Sequence, residues 1–172
     1  IAVPRPRRRP NDGTQRSVRG SIVAMPRPEN RYRCRCGGVN GRVLELGPDT
    51  ANRCICYCHD CRAFAHHLGR QDMLDARGGA DIVQVARARL VIDEGLDELR
   101  CLRLTPGGLF RWYADCCKTP IANTLPRVPF AGLCRSAIDV AEAQLPSADL
   151  IHGRSAVGGL PPGASAGLSL HA

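Results

Sequence analysis

Short stretches of alternating hydrophobic and polar residues run through the middle of the chain. A period of two predicts β-strands that bury one face and turn the other toward solvent. The predicted strands cover residues 41–46, 82–85, 90–92, 99–104 and 109–113. Because short strands dominate this pattern, it predicts a small all-β domain.

Turn signals separate these predicted strands. Asp93-Glu-Gly95 is typical of a turn, because glycine adopts positive φ without steric cost. Pro106 and Gly107 follow the strand at residues 99–104. This pair favours a type II turn, in which the second central residue has a positive φ.

One or two short helices are predicted beside the strands. The first follows Asp60 as a candidate N-cap and ends near Gly69. The second begins at the capping-box-like pair Ser136 and Asp139. The apolar positions that would share one face of this second helix are Ile138, Ala141 and Leu145.

Composition sets the size of the folded part. The 172 residues include one Trp, three Tyr and three Phe, so the core is small and needs an additional stabilising cross-link, such as a bound metal ion. Arg/Pro-rich residues 1–30 and Gly/Pro/Ser-rich residues 146–172 are predicted to be disordered. The predicted folded domain is therefore 31–145. No apolar run approaches the roughly 18 residues of a membrane span, so we expect no membrane partner.

The positive charge lies mainly at the start of the chain. Residues 1–33 hold nine arginines and two acidic residues, a net charge of +7 out of +8 for the whole chain. The other 139 residues are nearly neutral, with 15 basic and 14 acidic groups. A basic arm can bind nucleic acid, but the neutral body argues against a nucleic-acid partner.

Ten cysteines carry the candidate chemistry. They are Cys34, Cys36, Cys54, Cys56, Cys58, Cys61, Cys101, Cys116, Cys117 and Cys134. The N-terminal residues lack the apolar stretch of a secretory signal, so we expect a cytoplasmic protein with reduced thiols. Closely spaced thiolates favour zinc or an iron–sulfur cluster over hard cations. The isolated Cys101 and Cys134 are predicted to pack as small hydrophobic residues.

Four of these cysteines lie within eight residues, from Cys54 to Cys61. The density of thiols among polar neighbours predicts a metal site. The alternative is a redox dithiol of the C-x-x-C type formed by Cys58 and Cys61, and the two additional thiols make it the weaker interpretation.

The order of the cysteine motifs resembles one known family. The matching stretches are residues 33–39 (RCRCGGV), 56–62 (CYCHDCR) and 111–121 (RWYADCCKTPI). They resemble the glutathione-dependent formaldehyde-activating enzymes, which include centromere protein V-like domains, and most resemble an uncharacterised bacterial branch of that group. The resemblance implies a zinc-stabilised β-tent fold with two zinc sites.

The resemblance also implies which cysteines bind zinc. Cys34, Cys36 and Cys117 would belong to a closed structural site, and Cys56, Cys58 and Cys61 would form an open catalytic site. This chain departs from the family pattern because Ala114 replaces a ligand and Lys118 replaces a glycine. The fourth structural ligand would then be Cys116 or Cys54, or the site would bind no metal. We therefore expect one or two zinc ions per chain.

The activity implied by the resemblance is that of a carbon–sulfur lyase. Its expected partners are a small thiol such as glutathione and an aldehyde, which combine to form a compound such as S-hydroxymethylglutathione. Substrate carboxylates would need arginines, and Arg62 and Arg111 are the candidates. The alternative for Arg62 is an ion pair with Asp60 or Asp72.

Two other classes of function fit the sequence. The chain can be a zinc-stabilised binding module without turnover, since a fold does not determine function. It can also be a thiol redox or metal-handling protein that releases zinc on oxidation. The sequence does not indicate an oligomeric state.

Overall fold

The computed structural model describes residues 30–160, which form two β-sheets and one α-helix. The predicted all-β fold is confirmed. The strands are β1 (Asn30–Arg33), β2 (Asn40–Val43), β3 (Ala51–Cys56), β4 (Ala80–Ala86), β5 (Leu90–Glu94), β6 (Leu99–Leu102), β7 (Phe110–Ala114), β8 (Thr119–Thr124), β9 (Phe130–Cys134), β10 (Ile138–Asp139) and β11 (Ala148–Ile151). The helix is α1 (His59–His67). The predicted disorder of residues 1–29 and 161–172 falls outside the described residues.

The two sheets differ in size and share a core. The smaller sheet has the order β10-β1-β2-β5, and the larger has the order β11-β3-β4-β9-β8-β7-β6. Tyr32 and Val43 of the smaller sheet pack with Val83, Val85 and Leu133 of the larger. This shared hydrophobic cluster holds the sheets together.

The opposite face of the larger sheet carries a second cluster. Side chains alternate along a strand, so Ile82 points away from Val83 and Cys134 points away from Leu133. Cysteines from β3, α1 and β9 join this second cluster, which contains Cys54, Cys56, Cys61, Ala80, Ile82 and Cys134. The cysteine-rich stretch therefore belongs to a packed face of the sheet and not to an exposed loop.

Helix α1 follows β3 after a two-residue connection. Its N-cap is Cys58, whose sulfur accepts a hydrogen bond from the backbone N–H of Cys61. The predicted N-cap at Asp60 is therefore wrong, because Asp60 lies in the first turn. The predicted helix end is confirmed, since Gly69 follows the C-cap with a φ of +65°.

Two local predictions fail. The second helix is absent from the described residues: 135–145 form two short 3₁₀ turns around β10, because Ile138 pairs with Tyr32 of β1. The turn at residues 105–108 has the expected hydrogen bond from Gly108 N to Thr105 O, at 3.0 Å. Gly107 lacks a positive φ, so this is not a type II turn.

The fold continues past the predicted domain end at residue 145. Strand β11 pairs in parallel with β3, with Ile151 opposite Cys56. Just beyond that pair, Tyr57 N donates a hydrogen bond to Ile151 O at 3.1 Å. The part of the predicted tail at Ala148–Ile151 is thus an edge strand beside the cysteine-bearing strand.

Candidate metal centres

Four cysteines from two distant loops come together at one end of the sheets. Cys34 and Cys36 follow β1, whereas Cys116 and Cys117 lie in the turn between β7 and β8. Their sulfur atoms all lie within 4.8 Å of one another. We refer to these residues as the four-cysteine group.

The sulfur spacing in this group fits a tetrahedral metal ion. The Cys34–Cys36 and Cys34–Cys116 sulfur distances are 3.5 and 3.8 Å, the Cys36–Cys116 distance is 3.2 Å and the Cys116–Cys117 distance is 4.0 Å. A tetrahedron with zinc–sulfur bonds near 2.3 Å places its sulfur atoms about 3.8 Å apart. The donor set therefore fits zinc, and the structure brings Cys116, not Cys54, to the position of the missing ligand.

Backbone geometry shapes the loop that carries Cys34 and Cys36. The Val39 N–H donates to the Cys34 sulfur at 3.2 Å, and the Cys34 N–H donates to the Val39 carbonyl at 2.8 Å. Gly95 packs against this loop with a φ of +77°, and a Cβ there would lie 2.1 Å from the Gly38 carbonyl oxygen. Glycine is therefore required at this turn, which the sequence predicted.

Thr119 connects the four-cysteine group to the rest of the fold. Its side chain is 2% exposed, and its hydroxyl lies 3.1 Å from the Cys117 sulfur. The same hydroxyl accepts hydrogen bonds from Arg35 N at 3.0 Å and Arg70 Nη1 at 2.9 Å. Burial raises the pKa of Cys117, but hydrogen bonds from Thr119 and the backbone outweigh it and lower that pKa to about 6.

A second group contains three cysteines. Cys56 ends β3, Cys58 caps α1 and Cys61 lies in the first turn of that helix, so one strand-to-helix connection positions all three. Their sulfur atoms lie within 4.8 Å of one another. Cys56 and Cys61 are buried, whereas Cys58 is half-buried. We refer to these residues as the three-cysteine group.

Hydrogen bonds within the three-cysteine group favour a thiolate at Cys58. Hydrogen bonds from Cys56 and Cys61, together with the Cys61 backbone N–H, lower the pKa of the Cys58 thiol. The hydrogen bonds with Cys58 and Cys61 raise the pKa of Cys56. Without a metal, the negative charge of the group is therefore concentrated on Cys58.

Arg111 lies behind the three-cysteine group. Its side chain is 2% exposed, and Nη1 lies 3.8 Å from the Cys61 sulfur and 3.4 Å from Asn123 Oδ1. Nη2 lies 3.7 Å from Asp60 Oδ2, and the guanidinium carbon lies 5.4 Å from the Phe64 ring centre. At this depth the guanidinium faces the cysteines and the helix and is closed to the carboxylate of a substrate.

Arg62 has partners other than the predicted acids. It donates hydrogen bonds to the Ser155 and Tyr57 carbonyls, and its Nη2 lies 2.9 Å from His59 Nδ1. The predicted alternative of an ion pair with Asp60 or Asp72 is wrong, because those acids pair with Arg111 and Arg70 respectively.

Arg70 was not predicted from the sequence. Its guanidinium contacts Asp72 through two nitrogens, at 2.7 and 2.9 Å, and it also reaches Thr119. No local pattern marked it, because its role depends on a contact with β8, 49 residues away.

The two isolated cysteines have different environments. Cys134 is buried in the second cluster, as predicted. Cys101 is exposed, so its predicted packing role is wrong. The physical reason is its position on β6, the edge strand of the larger sheet.

The described surface has a cavity beside the four-cysteine group and another next to β7. One, of about 460 Å³, is lined by charged side chains that include Arg33, Arg35 and Arg70, and it reaches Cys34. The other, of about 240 Å³, is mainly apolar and includes Trp112. Neither cavity is lined by residues of the three-cysteine group.

Comparisons with known proteins give a family without an assigned role. A family model described as "Family of unknown function (DUF6151)" matches residues 30–169. No curated protein matches the chain. This chain is similar to a Rhodobacter sphaeroides protein, a structural genomics target whose crystal structure is known. The two sequences are 18% identical, the TM-score is 0.47, and the match covers 65% of this chain and 90% of that one. Among residues 30–160, no helix has the length and apolar character needed to cross a bilayer.

Proposed function

The chain belongs to this family of unknown function, and from that premise we propose that it is a two-zinc protein with one closed and one open centre. The four-cysteine group supplies four thiolates and would hold a zinc ion that stabilises the fold. The three-cysteine group supplies three and would leave one position for a ligand from solution. This difference in donor number is the observation that carries the proposal.

The chemistry of the open centre favours a thiol ligand. Bound zinc would lower the pKa of a thiol and hold it as a thiolate. Three cysteine thiolates leave the centre with a net charge of −1, which weakens its ability to polarise a carbonyl. The three-cysteine group is therefore better suited to binding a soft sulfur ligand, and Cys58 forms its more exposed side.

The activity that we propose is that of a carbon–sulfur lyase acting on a small-thiol adduct of an aldehyde. In the addition direction, the thiol sulfur bonds to the aldehyde carbon, the carbonyl π electrons move to oxygen and the thiol proton ends on that oxygen. The resemblance to the formaldehyde-activating enzymes supports this reaction, with glutathione as the expected thiol. Arg62 is the remaining candidate for a substrate carboxylate, since Arg111 is buried.

A rate measurement tests this activity. Full-length protein purified under reducing conditions is mixed with formaldehyde and glutathione, and hemithioacetal formation is followed by NMR against the uncatalysed rate. We expect acceleration that is lost in Cys58→Ser and retained in Cys101→Ser, an exposed cysteine outside both groups. Uncatalysed rates with a zinc-loaded protein, over a panel of small thiols and aldehydes, would refute the lyase proposal.

The cavities favour a second candidate function. The cavity of about 460 Å³ is lined by Arg33, Arg35 and Arg70 and reaches Cys34, so a ligand held there would lie beside the closed centre, as in a zinc-stabilised binding module without turnover. Such a module would hold both zinc ions and show no acceleration in the rate measurement. Zinc content separates it from a metal-free protein, and catalytic rate separates it from an enzyme.

A further inference from the structure

Arg111 is a permanent cation in a buried position. A guanidinium does not lose its proton at accessible pH, so Arg111 carries its charge wherever the fold places it. Strand β7 directs this side chain toward α1, whereas the neighbouring Trp112 faces the apolar cavity on the other side of the sheet. Burying a charge is unfavourable unless an opposite charge and hydrogen bonds compensate it.

The protein groups around Arg111 compensate this charge only in part. Asp60 is the acid in contact, at 3.7 Å, and its own side chain is 45% exposed to water. Nε is buried and has no hydrogen-bond partner among the described residues. The Nη1 contacts to Asn123 and to the Cys61 sulfur are long, at 3.4 and 3.8 Å. The guanidinium therefore faces the three-cysteine group, and the surrounding protein groups compensate its positive charge only in part.

We propose that Arg111 is a positioning residue that neutralises the three-thiolate zinc centre and directs an N–H toward the Cys61 sulfur. This inference rests on the proposed function, which assigns zinc to the three-cysteine group. Three thiolates and one divalent ion sum to −1, and the adjacent guanidinium supplies +1. The buried cation and the anionic centre thus compensate each other, so each makes the other's burial less costly.

The same pairing has a consequence for substrate binding. A substrate thiolate in the fourth position would change the net charge of the centre from −1 to −2, and a buried site stabilises such a charge poorly. Arg111 offsets one of these charges, and its contact to Cys61 withdraws electron density from that sulfur. It therefore favours binding of a fourth, exogenous thiolate without touching the substrate itself.

Two substitutions test the charge of Arg111. Arg111→Met retains a long apolar stem and removes the cation, whereas Arg111→Lys retains the charge and loses the planar fork. Arg103→Met is the matched control, because Arg103 also stacks on a phenylalanine, Phe110, at 4.6 Å but is exposed. Zinc affinity is measured by competition with a chelator of known affinity. We expect the weaker of the two zinc ions to bind about 10- to 100-fold less tightly in Arg111→Met, a smaller loss in Arg111→Lys and no change in the control.

Cobalt substitution supplies a readout that a packing defect does not move. Removing a nearby cation raises the energy of the sulfur lone pairs, so the thiolate-to-cobalt charge-transfer band moves to longer wavelength in Arg111→Met. The four-cysteine group contributes equally to both proteins, so the difference spectrum isolates the three-cysteine group. If Arg111→Met does not fold, Arg111→Lys decides, because loss of the Nη1–Cys61 contact also moves the band.

The outcomes separate this inference from the proposed function. An unmoved cobalt band and wild-type zinc affinity in the Arg111 variants would overturn the inference and leave the two-zinc protein intact. A zinc-loaded centre without lyase activity would refute the enzyme and leave the role of Arg111 standing. A wild-type protein without metal at the three-cysteine group would overturn both.

Discussion

Cys36 and Cys116 are 80 residues apart in the sequence, yet their sulfur atoms lie 3.2 Å apart. Cys36 follows a strand of the smaller sheet, and Cys116 follows a strand of the larger sheet. A metal ion shared by the four-cysteine group would therefore cross-link the two sheets through metal–sulfur bonds. In a domain with few aromatic residues, such a cross-link supplies stability that the hydrophobic core does not.

The first prediction concerns the fourth ligand of that centre. We expect Cys116→Ser to lower the zinc content below two ions per chain, because the four-cysteine group loses one of its four zinc–sulfur bonds while the three-cysteine group is untouched. Cys54→Ser is the matched control and should retain both ions, since Cys54 packs in the second cluster with Ile82. Elemental analysis of both purified variants measures this. Equal zinc content in the two variants would contradict the assignment of Cys116.

Metal removal should destabilise the whole domain. A structural zinc contributes on the order of 10 kcal/mol of apparent binding free energy, and here it would hold two sheets together. We expect a strong chelator under reducing conditions to lower the thermal unfolding midpoint, as followed by circular dichroism. Restoring zinc should restore the midpoint. A midpoint that does not respond to chelation would show that the core alone holds the sheets.

Thr119→Val should lower the free energy of unfolding by about 1–3 kcal/mol. The substitution retains the shape of the side chain but leaves the part-buried N–H of Arg35 and the buried Nη1 of Arg70 without this acceptor. Urea unfolding of the zinc-loaded protein measures the change. Thr105→Val, in an exposed turn, is the control, and we expect its effect to stay within about 0.5 kcal/mol. Similar values for the two variants would argue against the hydrogen-bond network.

Truncation should reveal the role of β11. A chain that ends at residue 146 loses the strand that pairs with β3, whereas a chain that ends at residue 160 retains it. Because β3 carries Cys54 and Cys56, we expect the shorter chain to unfold at lower urea concentration. Lost ladder hydrogen bonds alone predict a cost of about 2 kcal/mol or more. Equal unfolding midpoints for the two chains would refute this role.

Local patterns predicted much of the fold. The alternation at 82–85 and 99–104 found β4 and β6, although β4 buries Ile82 and Val83 on opposite faces and Cys101 of β6 is exposed. The second helix failed because Ile138 takes part in a long-range pair with Tyr32, and this tertiary contact overrides a local capping signal. Strand β3 was not predicted, because its cysteines were interpreted only as metal ligands.

The cysteine sulfurs of the candidate sites could be predicted from the sequence, but the residues that pack around them could not. Closely spaced cysteines indicated a metal site at residues 54–61. The resemblance to the formaldehyde-activating enzymes implied a second site at Cys34, Cys36 and Cys117, and the departure at Ala114 indicated that this site needed another sulfur. The proximity of Cys116 to Cys36 depends on how the two sheets pack, which no local pattern encodes. The burial of Arg111 likewise depends on α1 covering β7. Its neighbours Phe110 and Trp112 lie on the opposite face of β7, so alternation alone would have placed Arg111 toward solvent.

Metal analysis of the full-length protein, purified under reducing conditions without added metal, tests the central claim most directly. The two cysteine groups predict two zinc ions per chain, one of which is removed more easily by a competing chelator. Well under one zinc per chain in a folded, fully reduced protein would contradict the account, because neither cysteine group would then be a metal centre.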